Sequence, residues 1–283
     1  MKRIGIPAIA ITLALASAFT FFLMREEDPG KLIEPGKVLK VGIECDFAPY
    51  NWEEKKASAT NQPLANNEGF YVEGYDVQIS RIIAERLKAK VKYLKIPWGD
   101  MLAALNDGRI DMVVSGMVDT NERKQLAAFS NVYTPSPIEY TIMVRKDSPY
   151  AESTTLADFH NARMVGQKGA MMDTLIDQVY GVNHLPPVET VPEMFRDVNR
   201  GTADALVINL ESIGPYLEEY PNLMAIEFAH GQGFRLGFNG ICIAVRKEDT
   251  NLLRAINMIL FGLSREERTA VMNQMTTKAE KSS

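Results

Sequence analysis

Apolar positions along this chain follow two alternating rhythms. Short runs rich in β-branched residues at 38–43, 91–96, 110–114, 164–167, 188–191 and 203–208 predict buried strands. Between them apolar residues fall at helical spacing. Val77, Ile79, Ile82, Ile83 and Leu87 follow Asp76, which reads as a helix cap, and 101–105, 172–180, 194–198 and 211–220 predict further helices. Residues 28–37 carry Pro29, Gly30, Pro35 and Gly36 and read as a tether, and the polar stretch 53–69 as a long surface excursion. Strand and helix alternation of this kind predicts an α/β protein with mainly parallel sheets flanked by helices.

The pattern begins again near Ser148, and one segment echoes another. Thr-Ile-Met-Val-Arg-Lys-Asp at 141–147 matches Cys-Ile-Ala-Val-Arg-Lys-Glu at 242–248. Read as adjacent strands, the two runs carry the chain out of one lobe and back into it. A helix bearing Leu252, Leu253, Ile256, Ile259 and Leu260, and another opened by a capping box at Ser264-x-x-Glu267, then return to the first lobe. The division expected is 1–36 as signal or membrane anchor plus tether, 37–141 with 246–283 as lobe 1, and 142–245 as lobe 2 including the hinge strands. Two lobes on two linking strands suit hinge closure on a ligand.

Residues 108–124 concentrate the candidate chemistry. A buried strand at 110–114 runs into Ser115-Gly116, which lets the backbone come close to something bound. Thr120 reads as an N-cap that leaves the next amides pointing outward. One turn later Arg123 adds a guanidinium fork suited to a carboxylate. Together these describe a carboxylate receptor at the carboxyl end of a strand, where open α/β sheets bind ligands. An ordinary strand-turn-helix with a solvated arginine is the plain alternative.

Composition narrows the classes. A chain of 283 residues allows two domains, and 46% hydrophobic with 24% charged residues suits a globular protein. A net charge of −5, without a basic stripe, argues against nucleic acid. Residues 4–24 are uncharged, between Lys2-Arg3 and Arg25-Glu26-Glu27-Asp28. They read as a secretion signal or a membrane anchor that places the folded part outside the cytoplasm. Ala16-Ser17-Ala18 offers a cleavage site, but cleavage would leave Phe19-Thr20-Phe21-Phe22-Leu23-Met24 at the new terminus, which favours an uncleaved anchor. With no cysteine nearby, a lipid-modified cysteine is excluded. Cys45 and Cys242 read as separate thiols, and His160, His184 and His230 are scattered, so no metal or cofactor is expected.

The order of motifs over 37–283 resembles the extracytoplasmic solute-binding proteins of amino-acid ABC importers, family 3. Ala48-Pro49-Tyr50 resembles the aromatic loop after the first strand, and Gly74-Tyr75-Asp76-Val77 the start of the first long helix. Gly108-Arg109-Ile110-Asp111 and Gly201-Thr202-Ala203-Asp204-Ala205 are similar to the strand entries of the two lobes. Ser115-Gly116-Met117 with Thr120-x-x-Arg123 resembles the binding segment. The resemblance implies the two-lobed periplasmic-binding-protein type II fold, and a non-enzymatic, monomeric receptor that passes an amino acid, basic or polar, to an ABC permease. It also implies that Arg123 pairs the α-carboxylate with help from Ser115, Gly116, Met117 and Thr120. Phe47, Tyr50 and Trp98, or Trp52, would wall the side-chain pocket, and Glu44 stands where members that bind basic amino acids carry an acid. Gln167, Ala170, Met171 and Asn209 fall on the second lobe's share of the site. Three departures stand out: the usual Gly-Thr-Thr turn is Gly169-Ala170-Met171, the Asp for the α-ammonium is Asn209, and hydroxyl positions near the carboxylate read Gly116 and Val118. An anchored sensing ectodomain and a periplasmic dehydratase-like enzyme on the same fold are the competing classes; the enzyme would need a general acid or base in the cleft, for which Glu44 and Glu211 are the candidates.

Overall fold

The structure, a computed structural model, describes residues 28–238 and 240–282. The apolar stretch at 4–24, with its reading as signal or anchor, lies outside them. Among the described residues no helix is long and apolar enough to cross a membrane.

The first lobe opens with β1 (Val38–Ile43), whose Leu39, Val41 and Ile43 are fully buried. Three antiparallel pieces follow, β2 (Asp46–Phe47), β3 (Asn51–Glu54) and β4 (Gln62–Pro63), and with β5 (Tyr71–Glu73) they make a four-stranded sheet in the order β2-β3-β5-β4. The polar stretch 53–69 is therefore not a free excursion. Leu64 is buried and pairs with Tyr93, and Asn61 is buried as well. Helix α1 (Tyr75–Arg86) starts from Gly74, not from Asp76. A Cβ on Gly74 would lie 2.2 Å from the Tyr50 carbonyl oxygen, so only glycine lets the aromatic loop pack there. Asp76 sits inside the first turn, and its carboxylate faces inward.

β6 (Lys90–Lys95), α2 (Met101–Asn106), β7 (Met112–Val113), α3 (Asn121–Lys124) and β8 (Ala128–Phe129) complete this half. β1 lies parallel between β6 and β7. The second lobe repeats the plan with β9 (Tyr140–Arg145), β10 (Arg163–Val165), α4 (Met171–Ile176), β11 (Asn183–His184), α5 (Val191–Arg200), β12 (Ala205–Asn209), α6 (Ile213–Glu219) and β13 (Leu223–Ala225). Here β10 lies parallel between β11 and β12, and β9 is antiparallel to β12 and β13. Val188 makes only an isolated bridge to Gln167, and Val191 already begins α5, so the strand expected at 188–191 does not form.

The chain then re-enters the first sheet as β14 (Ala244–Val245) and ends in α7 (Thr250–Phe261) and α8 (Arg265–Ser282). The sheet orders are β6-β1-β7-β14-β8 and β11-β10-β12-β9-β13. The two echoing runs are thus not neighbours. β9 pairs within the second sheet and β14 within the first, each as the antiparallel partner of the strand that feeds the cleft. Their likeness reflects equivalent surroundings: a doubly covered strand, then an arginine turned back onto its own lobe. Arg246 donates to the Ile110 carbonyl at 2.6 Å and to Asp111 at 3.0 Å, and Arg145 to the Val198 carbonyl at 2.9 Å. The crossings do run side by side, but at 130–133 and 241–243, where Ser130 N–H donates to the Ile243 carbonyl and Tyr133 N–H to that of Ile241.

Helix α8 ties the lobes' outer edges together. Its Lys278 donates to the fully buried carboxylate of Glu73, which also accepts Thr60 Oγ1 at 2.5 Å and Gln78 Nε2 at 2.9 Å. Further along, Glu280 lies against Gly214 of α6 in the second lobe. Breaking one side of a buried pair strands a charge, at a cost of about 3 kcal/mol. Lys278→Met should therefore lower stability by about that much in urea titration, and adding Glu73→Gln should recover most of it.

Candidate functional site

Two strand ends in the first lobe deliver the cleft groups. β1 hands on to Glu44 and β7 to Ser115-Gly116, and Glu44 N–H donates to Ser115 Oγ at 3.0 Å, which fastens the ends to each other. Gly116 is left-handed (φ 66°), and a Cβ there would meet the Phe47 ring at 2.9 Å. Phe47 in turn stacks on Tyr50, centroids 5.1 Å apart. Thr120 caps α3 by accepting the Arg123 N–H at 3.2 Å, which sends the Arg123 guanidinium over the Trp98 ring, 5.1 Å from its centroid.

The second lobe supplies the facing wall. Gln167 follows β10, Ala170 and Met171 stand at the start of α4, and Tyr140 opens β9. Glu44, Phe47, Trp98, Ser115, Gly116, Val118 and Arg123 on one side, and Tyr140, Gln167, Ala170, Met171 and Met172 on the other, enclose one pocket. The void at its centre is about 20 Å³, room for a single water. The lobes are shut, and their polar groups satisfy one another. Gln167 Nε2 donates to the Glu44 carboxylate, and Arg123 donates to its own lobe's Val118 carbonyl and across the cleft to the Gly169 carbonyl, each at 3.0 Å. Tyr50 OH donates to Glu211 at 3.2 Å and Tyr216 OH to the Asp46 carbonyl at 3.2 Å.

Glu44 and Arg123 are the acid and the guanidinium among the lining residues. Glu44 is 4% exposed, and burial, reinforced by nearby Asp46, pushes its carboxyl up to about 8 against the pull of the Gln167 amide. Burial also lowers the pKa of Arg123, which stays charged because its ordinary value is so high. The second-lobe partners of both are neutral: an amide for the acid and a carbonyl for the guanidinium.

Of the residues the sequence singles out, nine converge here: Glu44, Phe47, Trp98, Ser115, Gly116, Arg123, Gln167, Ala170 and Met171. Thr120 acts through the cap and faces the mouth of the cleft. Tyr50 is fully buried behind Phe47 and reaches across to Glu211. The Met117 side chain packs with Ile96 and Met101 in the core, and its carbonyl accepts the Cys242 N–H. Trp52 lies in a separate groove with Asp46 and Tyr216. Asn209 departs furthest from expectation. Its Oδ1 accepts the Glu211 N–H at 2.8 Å, its buried Nδ2 has no partner, and it is not among the residues that line the pocket. Glu211 sits in the turn that Asn209 caps, and also accepts Ser136 Oγ at 3.0 Å. Tyr140 and Met172 line the pocket without having been foreseen; an aromatic opening the apolar run at 141–144 was the available signal for the first. Both cysteines are buried free thiols, and among the described residues no cluster could hold a metal ion.

The chain is similar in sequence to known binding proteins and in architecture to solved ones. A probable histidine-binding protein of Neisseria gonorrhoeae is 28% identical over 226 residues, 79% of this chain and 76% of its own. The L-cystine-binding protein TcyJ of Escherichia coli K12 is 25% identical over 263 residues, 91% of this chain and 90% of its own. Among solved structures, the arginine-bound form of ArgBP from T. maritima aligns with a TM-score of 0.65 at 28% identity, covering 80% of this chain and 96% of the other. The model of the bacterial extracellular solute-binding proteins, family 3, matches residues 39–276, and the chain belongs to that family.

Proposed function

We propose that this protein captures a cationic amino acid, L-arginine fitting best, between its lobes and passes it to an ABC permease while held at the outer membrane surface by residues 4–24. One observation carries the reading: a buried acid and a half-buried guanidinium share one cleft, and the opposite lobe offers each only a neutral partner. A ligand carboxylate would replace the Gly169 carbonyl on Arg123, and a ligand cation would replace the Gln167 amide on Glu44. On Arg123 the exchange turns a half-charged hydrogen bond into a fully charged one, worth about 1–2 kcal/mol more, and on Glu44 the ligand's cation draws off the proton that burial retains. Trp98, Phe47 and Tyr140 offer aromatic faces for a guanidinium and its methylene stem. The relatives named for histidine and arginine support a cationic ligand, and the one named for L-cystine shows that the family model alone does not choose it.

A second reading follows from Asn209. Because it brings no negative charge and does not line the pocket, Glu44 is the acid that would receive an α-ammonium, and then a neutral amino acid fits as well. Thermal unfolding of the full-length chain in mild detergent, followed by tryptophan fluorescence, separates the two. L-Arginine at about 1 mM should raise the midpoint by several degrees, with L-lysine and L-histidine next. Arg123→Ala should abolish the shift, an affinity loss of roughly 100-fold or more. Equal shifts with L-glutamine and L-alanine would establish the second reading, and no shift with any amino acid would remove both.

The ligand-free protein should also show a pH signature. Glu44 is raised to about 8 and Asp76 to about 7 by burial, so between an unfolded value near 4.5 or 3.8 and those values the native chain holds protons that the unfolded chain has released. Stability then falls as pH rises from about 5 to 8. Midpoints measured across that range should decline in the wild type and decline less steeply in Glu44→Gln.

A further inference from the structure

We propose that Asp76 is a positioning residue for ligand capture: through Asn51 and the Gly116 amide it holds the two left-handed turns that carry Glu44 and Ser115 into the cleft. The inference rests on the cleft reading above. Asp76 is fully buried in the first turn of α1 and does not cap that helix. Its carboxylate accepts Tyr133 OH at 2.6 Å and Asn51 Nδ2 at 2.8 Å, and the Gly116 N–H lies close enough to favour its charge. These donors come from the interlobe crossing, from β3 and from the turn after β7, and none is charged. Burial raises the carboxyl to about 7 while all three donors favour its ionised form.

The reach of this group is set by Asn51, itself fully buried. Its Oδ1 accepts the Cys45 N–H at 2.7 Å. With the oxygen committed to a donor, the amide nitrogen must face an acceptor, and the Asp76 carboxylate is that acceptor. Cys45 is left-handed (φ 70°), an unfavourable conformation for a residue with a side chain, and it follows Glu44 directly. Gly116 is left-handed too (φ 66°) and follows Ser115. One buried carboxylate therefore sits behind both turns that aim the lobe's cleft groups.

Donor direction supplies the test. Asp76→Asn leaves one amide oxygen where two carboxylate oxygens met Tyr133 OH and Asn51 Nδ2, so the two donors compete for it, and Asn51→Asp sets two carboxyl groups together. The swap Asn51→Asp with Asp76→Asn restores a donor facing an acceptor and keeps an acceptor for Cys45. In calorimetric titration of the full-length chain with L-arginine, each single change should weaken binding by about 10- to 100-fold, and the swap should return to within about 3-fold of wild type. Ile83→Val, in the core of the same helix, should leave affinity unchanged. Amide resonances of Cys45 and Gly116, read by ¹⁵N NMR without ligand, should move in the single variants and return in the swap. Wild-type affinity in Asp76→Asn, or a folded swap with neither affinity nor resonances recovered, would overturn the proposal. If wild type fails to bind L-arginine, the ligand reading falls, while the two resonances still decide the role of Asp76.

Discussion

A buried acid and a half-buried guanidinium in one cleft set the terms for the rest of this molecule. A buried carboxylate or guanidinium is costly unless something polar meets it. Glu44 and Arg123 both stand on the first lobe, and both are met from the second, by Gln167 and Gly169. Closing the lobes is thus partly a matter of satisfying these groups, and the closed cleft, with about 20 Å³ left inside, is a latch as much as a pocket. A ligand able to present both a cation and a carboxylate does the same work with charge on both sides of each contact, so it competes with the protein's own neutral groups on favourable terms. Because only the ligand's differential interaction with open and closed forms shifts their balance, that difference is what capture consists of.

The fold serves this arrangement by repetition. In each lobe the central parallel strand ends at the cleft, and an antiparallel strand from elsewhere in the chain closes its free side: β14 on β7, β9 on β12. Loops at the strand ends then need rigid backing. In the first lobe that backing is the Asn51 and Asp76 pair with Tyr133, joined to the crossing by the Tyr75 hydroxyl on the Tyr133 carbonyl at 2.6 Å. At the outer edge, Lys278 and Glu73 bind the polar stretch around Thr60 to the last helix.

Local chemistry was legible in the sequence, and long-range pairing was not. Arg123 could be placed because strand, small-residue turn and N-cap follow one another within a few residues, and Thr120 does cap the turn. Strand partners could not be read in the same way. The Arg-Lys-acid echo looked like contact between two strands and instead marks equivalent strands in separate sheets, since similar surroundings select similar residues whether or not they touch. Met117 shows the period-2 problem: one residue past Gly116, its side chain turns to the core. The roles of Asn209 and Asp76 escaped the sequence for a different reason. What each does depends on which hydrogen-bond partner reaches its oxygen first, Glu211 N–H in one case and Asn51 with Tyr133 in the other, and composition carries no trace of that. The polar stretch 53–69 read as free because its anchor, Lys278, is at the far end of the chain.

The claim that a buried acid receives the ligand's cation is tested most directly by proton counting. Glu44 is held near pKa 8 in the ligand-free cleft, and a cation beside it would lower that value, so binding at pH 7 must expel a proton. Calorimetric titration of the full-length chain with L-arginine in two buffers of different ionisation enthalpy measures the number released. The account predicts release of about one proton at pH 7, with affinity rising towards pH 8 and both effects gone in Glu44→Gln. Tight binding with no proton release, unchanged in Glu44→Gln, would contradict it.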